Sequence, residues 1–212
     1  MTDPKIHKTY TSIPGFKFGM ISPDKLEELA AIARKYEVPM LKVTGAQRIS
    51  FLGIEPERLK ELKAEFNLPD KPPHARNKVH HVQACPGEKW CKFGQQETMA
   101  MAEAIDALVL KGPLPYKVKV GISGCRMCCC ESWVRDVGLV GGKNGWRFIF
   151  GGNAAGKPRI GDIVAENLST DEAAQLVEKC LNFFIDTAKF KTRSARFMER
   201  FGIEELKKGI LD

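Results

Sequence analysis

The sequence predicts an α+β fold in two successive parts, and three features carry that prediction. Strand-like and helix-like patterns alternate as strand, helix, strand, strand, helix over the first part. A polar, proline-rich stretch, NLPDKPPHARN, then interrupts the chain near residue 70. All seven cysteines fall beyond it.

Residues 13 to 22, IPGFKFGMIS, are β-prone, and Ser22-Pro23 reads as an N-cap followed by proline at the first helical position. Leu26, Leu29, Ala30 and Ala33 repeat at helical spacing through Tyr36. VPMLKVT reads as a strand, ISFLGI from Ile49 as another, and Pro56 opens a short helix with Leu59, Leu62 and Phe66 on one face. That order suggests helices on one face of a mostly antiparallel sheet. In the second part, residues 95 to 110 form a helix with Met99, Ala102, Ile105, Leu108 and Val109 available for packing. YKVKVGIS from Tyr116 alternates lysine with apolar residues, a strand with one polar face, and its end delivers the chain into GCRMCCC. WRFIFGG predicts a hairpin, and Ser169 with Glu172 fits a capping box opening a helix through about Asp186. A charged helical tail, 191 to 208, closes the sequence.

With 212 residues, 43% of them hydrophobic, the chain can bury the core of one or two compact domains. No apolar run approaches bilayer length, and the start, MTDPKIHKTY, lacks the h-region of a secretory signal, so a cytoplasmic location without membrane attachment is expected. An odd number of cysteines suits a disulfide framework poorly; in a reducing compartment, clustered thiols more often bind metal. A net charge of +7 and a pI near 9.0 fit an acidic protein, a polyanionic small molecule or a solvated basic surface. No repeat, low-complexity tract or long basic run points to nucleic acid.

Cys85 and Cys91 bracket five residues, and Cys125 and Cys129 bracket three. Thiolates from two such loops can surround one centre, either zinc or an iron–sulfur cluster. Zinc sites usually space paired ligands two to four residues apart, so a gap of five favours the larger cluster. Spacing alone leaves Cys128 open as the fourth ligand, because Cys125 and Cys128 make a CxxC pair. Cys130 is equally open, whereas Cys180 shares an apolar helix face with Val177 and Phe184 and reads as a buried small residue.

These residues resemble the nitrite and sulfite reductase family of siroheme enzymes. Its cluster motif, C-x5-C followed by C-x3-C, is matched by Cys85, Cys91, Cys125 and Cys129. LPYKVKVGISGC resembles the family strand that carries two lysines into the third cysteine, and Ala75 to Asn77 the arginine–asparagine step before the first. VTGAQRISFLGI and GWRFIFGGNAAGKPRIGDIVAENL resemble segments of the siroheme domain of NADH-dependent nitrite reductases. The likeness runs from about residue 14 to residue 205, and the length and the CRMCC sequence look most like small assimilatory-type sulfite reductases.

The resemblance implies a ferredoxin-like half-domain over residues 1–70 and an α/β domain binding siroheme and a [4Fe–4S] cluster over 71–212. It implies that Cys129 also bridges to the siroheme iron. It assigns Arg76, Lys117 and Lys119 to anion binding, with Arg48, Arg159 and Lys42 as further cofactor-binding candidates. The arginine that larger relatives carry in T-N-R-Q is Ala46 here, with Arg48 two residues on. Larger relatives enclose the cofactor between two such halves; with one half, the siroheme is more exposed or completed by a second subunit, as in a homodimer. Taken alone, Lys117 and Lys119 read as solvated lysines of an edge strand; beside the cysteine motif they read as cations for an anionic substrate and a polycarboxylate cofactor. GGNAAGKP nearly matches a phosphate-binding loop, but Pro158 replaces the required Ser or Thr.

The expected activity is six-electron reduction of sulfite to sulfide, with electrons from a separate donor protein such as a ferredoxin, because no flavin or nicotinamide motif is present. Reduction of nitrite to ammonia is the closest alternative. A non-catalytic iron–sulfur electron carrier and a structural zinc protein are alternatives of other classes.

Overall fold

The computed structural model describes residues 7–13, 16–68 and 77–211. The chain divides into two compact units, Met1–His74 and Ala75–Asp212.

In the first unit, strands β1 (Tyr10–Ser12), β2 (Met40–Val43) and β3 (Ile49–Leu52) form an antiparallel sheet in the order β1-β3-β2. Helix α1 (Pro23–Lys35) starts where Ser22 Oγ accepts the Lys25 N–H at 3.2 Å and Pro23 presets the first turn. Helix α2 (Pro56–Glu65) likewise opens on proline. Leu29, Ile32 and Ala33 of α1 and Leu62 of α2 are buried with Phe51 and Ile54 in one apolar core, while Leu26 is 53% exposed. The β-prone stretch 13 to 22 is a correction: the strand lies earlier, at Tyr10–Ser12, and residues 16–22 pair only across the Lys17–Met20 turn. Thr11 and Phe51 face each other in that register, fixing β1 against the central strand.

The second unit is built on five strands: β4 (His81–Ala84), β5 (Lys119–Ser123), β6 (Val137–Gly142), β7 (Gly145–Phe150) and β8 (Asp162–Leu168). They are ordered β4-β5-β6-β7-β8. The first three run parallel, and β6 to β8 are antiparallel, the β6–β7 pair being the expected hairpin. Helices α3 (Gly87–Trp90) and α4 (Thr98–Ala107) lie in the β4-to-β5 crossover. Helix α5 (Thr170–Thr187) opens on the complete Ser169–Glu172 capping box, and α4 and α5 pack on the sheet and on each other. Phe184 of α5 meets Phe150 edge-on at 5.8 Å. The tail is two helices, α6 (Ser194–Phe201) and α7 (Ile203–Leu211), divided at Gly202, where φ is +85°.

Strand β5 departs from expectation. It begins at Lys119 rather than Tyr116, and Val120 to Ser123 are all buried, so it has no polar face. It is also an interior strand, not an edge. The cause is the cysteine loop itself, which folds back over the sheet: a Cβ on Gly121 would lie 2.6 Å from the Cys130 carbonyl oxygen, and one on Gly138 2.1 Å from that of Ser132. Paired glycines on β5 and β6 admit this close backbone approach, which covers the face that alternation marks as polar.

Candidate metal centre

Parallel pairing explains how cysteines far apart in sequence converge. Strands β4 and β5 are neighbours with Ala84 opposite Ile122, so both C-terminal ends open at one edge of the sheet, where ligand sites of open α/β sheets form. Cys85 follows β4 directly, and its N–H donates to the Ile122 carbonyl at 3.1 Å. Cys91 ends α3, its N–H donating to the Gly87 carbonyl at 2.9 Å. Cys125 stands two residues beyond β5. The loops are stitched together by the Gln95 N–H on the Gly124 carbonyl at 2.8 Å and the Gly124 N–H on Cys85 Sγ at 3.1 Å.

The thiols share one electrostatic neighbourhood. Burial, and then the charges of Cys85, Cys125, Cys91 and Cys128, push the Cys129 thiol up from its ordinary value. Cys129 is nonetheless exposed, Cys85, Cys91 and Cys128 are half-buried, and Cys125 is buried. Among the described residues no three His, Cys, Asp or Glu side chains are gathered as a single metal ion would need; Zn–S bonds of about 2.3 Å place thiolates only about 3.8 Å apart. An all-thiol set suits an iron–sulfur cluster, and the Gly124 N–H aimed at Cys85 Sγ is the donor such sulfurs receive.

Cys130 faces inward: its N–H donates to Ser123 Oγ at 3.1 Å, and burial pushes its thiol up to about 12. Cys180 is fully buried between Val177 and Phe184 on α5, and burial raises its thiol further. Both are apolar filling rather than ligands in this geometry.

Lys117 and Lys119 lie at the start of the strand that leads into the third cysteine. Lys119 opens β5 and Lys117 precedes it; Lys117 is exposed and Lys119 half-buried, with Val118 and Val120 buried between and after them. A rise of about 3.3 Å per residue puts about 13 Å between Lys119 and Ser123, but the cysteine loop turns back over the sheet and brings the Cys130 carbonyl against Gly121, two residues from Lys119. What fixes this end of the strand is a network with no counterpart among the sequence motifs. Asp136, 1% exposed, accepts the Lys119 N–H at 3.0 Å, Ser194 Oγ at 2.5 Å and the Arg193 guanidinium at 3.2 Å. Arg193 also lies 5.2 Å over the Tyr116 ring, and the Lys191 N–H donates to the Pro115 carbonyl at 2.8 Å. The 191–194 segment thus clamps the backbone of 115–119.

Arg159 is held inside its own loop, donating to the Gly151 and Ile160 carbonyls and to Asp162 at 2.6 Å. The GGNAAGKP stretch is followed by strand β8 and not by a helix, so no phosphate-binding loop forms. In the first unit, Lys42 is exposed on β2 and Arg48 is exposed at the end of the β2–β3 turn, its N–H donating to Thr44 Oγ1 at 3.2 Å. His80 and His81 meet edge-on at 5.4 Å. Arg76 and His74 lie outside the described residues.

Residues 75–212 match the nitrite and sulphite reductase 4Fe-4S domain, and residues 5–68 match the nitrite/sulfite reductase ferredoxin-like half domain. The chain belongs to the nitrite and sulfite reductase family. It is 43% identical over 203 residues to the assimilatory-type sulfite reductase of Nitratidesulfovibrio vulgaris, covering 96% of this chain and 93% of that protein. The nitrite reductase [NAD(P)H] of Bacillus subtilis is 30% identical over 204 residues, but the match spans only 25% of its length. Among solved structures, dissimilatory sulfite reductase I superposes with a TM-score of 0.76 at 14% identity, over 95% of this chain and 68% of that one. The NirA protein of Mycobacterium tuberculosis superposes with a TM-score of 0.70 at 20% identity, over 97% of this chain and 42% of that one. Both show the shared fold. Membership in this reductase family makes the chain an oxidoreductase whose cofactors are a [4Fe–4S] cluster and siroheme. Among the described residues no helix is long and apolar enough to cross a membrane.

Proposed function

We propose that the chain is an assimilatory-type sulfite reductase of the cytoplasm, converting sulfite to sulfide with six electrons from a separate protein. The observation that carries this reading is the delivery of two cysteine loops to one sheet edge by adjacent parallel strands. It is joined by the 43% identity to a sulfite reductase of nearly equal length. When bound, siroheme supplies an open iron position for the substrate and the cluster supplies electrons to it one at a time.

The protein's own residues have distinct tasks. Cys85, Cys91, Cys125 and Cys129 hold the cluster, and the exposed Cys129 is the thiolate that can also face a second cofactor. Lys117 and Lys119 present compact positive charge and transferable protons to anions, at positions set by the Asp136–Arg193 clamp. The cysteine loop turns back over β5 as far as Gly121, two residues from Lys119, so cations and thiols can serve one site, as a tetrapyrrole with peripheral carboxylates needs. Arg76 supplies a guanidinium fork for the substrate oxyanion. Arg48 and Lys42 remain cofactor-binding candidates, and Arg159 acts through its loop, since its guanidinium is engaged there.

Nitrite is the second reading, favoured by the 30% identity to nitrite reductases over the same residues. Anaerobic turnover with a chemical electron donor separates the two. Sulfite is expected to be consumed with stoichiometric sulfide and with the higher kcat/KM. Efficient ammonia formation from nitrite with negligible sulfide production would replace sulfite as the substrate.

A further inference from the structure

Thr98 is fully buried against both cysteine loops, and its hydroxyl is not used to cap a helix. Helix α4 is capped without it, because the Glu97 carboxylate accepts the Met99 N–H at 2.9 Å. The Thr98 hydroxyl instead donates to the Cys85 carbonyl at 2.5 Å. The rest of the side chain lies against glycines. A Cβ on Gly87, where φ is +70°, would collide with Thr98 Oγ1, and one on Gly124 would lie 3.0 Å from Thr98 Cγ2. Two residues earlier, the Gln96 carbonyl accepts the Glu88 N–H at 3.0 Å, so the 96–98 backbone is tied to the first loop as well. Gly124 is the residue whose N–H donates to Cys85 Sγ at 3.1 Å. One side chain therefore holds the acceptor residue of that N–H···S bond and touches the donor residue.

We propose that Thr98 is a positioning residue that fixes the Gly124 N–H···Sγ bond of Cys85 and thereby raises the reduction potential of the cluster. The inference rests on the reading of Cys85 as a cluster ligand. Reduction adds one electron to the cluster, and with it negative charge on the ligating sulfurs. An N–H dipole aimed at one of those sulfurs stabilises the reduced form more than the oxidised form. Such a bond weakens steeply as its angle and length depart from the best geometry. Here its two ends belong to separate loops, one after β4 and one after β5. The Thr98 hydroxyl holds the Cys85 backbone in place, and its methyl group fills the space against Gly124. Removing the hydroxyl leaves the Cys85 carbonyl without that donor, a loss that favours movement of the loop.

The test is a redox titration of the cluster in the anaerobic holoenzyme without sulfite, followed by EPR, comparing the parent with Thr98→Val and Thr98→Ser. Valine keeps the shape and removes the hydroxyl; serine keeps the hydroxyl and removes the methyl group. In Thr98→Val the equilibrium constant for one-electron reduction is expected to fall about tenfold, a drop of about 59 mV in midpoint potential. Iron and sulfide contents are expected to be unchanged, and Thr98→Ser to stay near the parent. If the valine variant does not load a cluster, Thr98→Ala, which also lacks the hydroxyl, gives the same reading. An unchanged potential in Thr98→Val, an equal drop in Thr98→Ser, or loss of the cluster from both Thr98→Val and Thr98→Ala would overturn the proposal. A Cys85→Ala variant separates this from the ligand reading. If it keeps the parental cluster, Cys85 leaves the ligand set and the proposal falls with it. If it loses the cluster while Thr98→Val titrates as the parent does, the proposal alone is refuted.

Discussion

Cys129 and Cys128 are adjacent in sequence, and spacing does not choose between them. The family motif C-x3-C assigns the ligand to Cys129, and the two residues differ in backbone and exposure. Cys128 sits at φ +55°, its N–H bonded to the Cys125 carbonyl at 3.2 Å and its carbonyl to the Glu131 N–H at 2.8 Å, so it forms the turn. Cys129 follows with an exposed thiol, in the field of the other cysteines. The Cys129→Ser variant is therefore expected to lose sulfite turnover by at least two orders of magnitude, whereas Cys180→Ala, deep on α5, keeps both turnover and iron content. Full turnover in Cys129→Ser would remove it from the ligand set. At this scale the cysteine spacing and the flanking motifs were legible in the sequence. Asp136 was not, because a single aspartate ahead of a strand has no periodicity or spacing to mark it; its importance arises only when Lys119 and the adjacent Arg193 and Ser194 arrive from two distant segments.

The elements that local chemistry determines follow their sequence signals closely. Ser22-Pro23 starts α1, and Ser169 with Glu172 starts α5 through reciprocal bonds: Ser169 N–H to Glu172 Oε2 at 2.8 Å and Glu172 N–H to Ser169 Oγ at 3.3 Å. Ser169→Ala is expected to cost about 1 kcal/mol, read as a lowered urea midpoint. The Ser169 backbone N–H, and then its hydroxyl, hold the Glu172 carboxyl below its ordinary value. Its stabilising contribution is thus in place above the ordinary carboxylate pKa and fades as pH falls through the depressed folded-state value. The deficit of Glu172→Gln relative to the parent should accordingly be largest near neutral pH and vanish in acid. A deficit independent of pH would show that the charge plays no part. Elements shaped by tertiary contact were less legible. The alternation in YKVKVGIS marks a polar face, yet the returning loop at Cys130 and Ser132 buries it, a contact between segments that no local window contains.

For the whole molecule, composition indicated a compact chain and the order of elements an α+β class, while the parallel β4-β5-β6 order could not be read from local patterns, since parallel neighbours pair across long crossovers. That order is what matters for function: it places the ends of β4 and β5 side by side, so that the two cysteine pairs become one site. Lys119 opens the same strand whose far end carries the third cysteine, and the cysteine loop turns back over that strand as far as Gly121. Family membership calls for two metal cofactors together, and the optical spectrum of anaerobically purified protein, combined with iron, acid-labile sulfide and zinc counts, tests this most directly. The predicted result is strong visible siroheme bands with about five irons and about four sulfides per chain. Colourless protein containing zinc and no sulfide would contradict it.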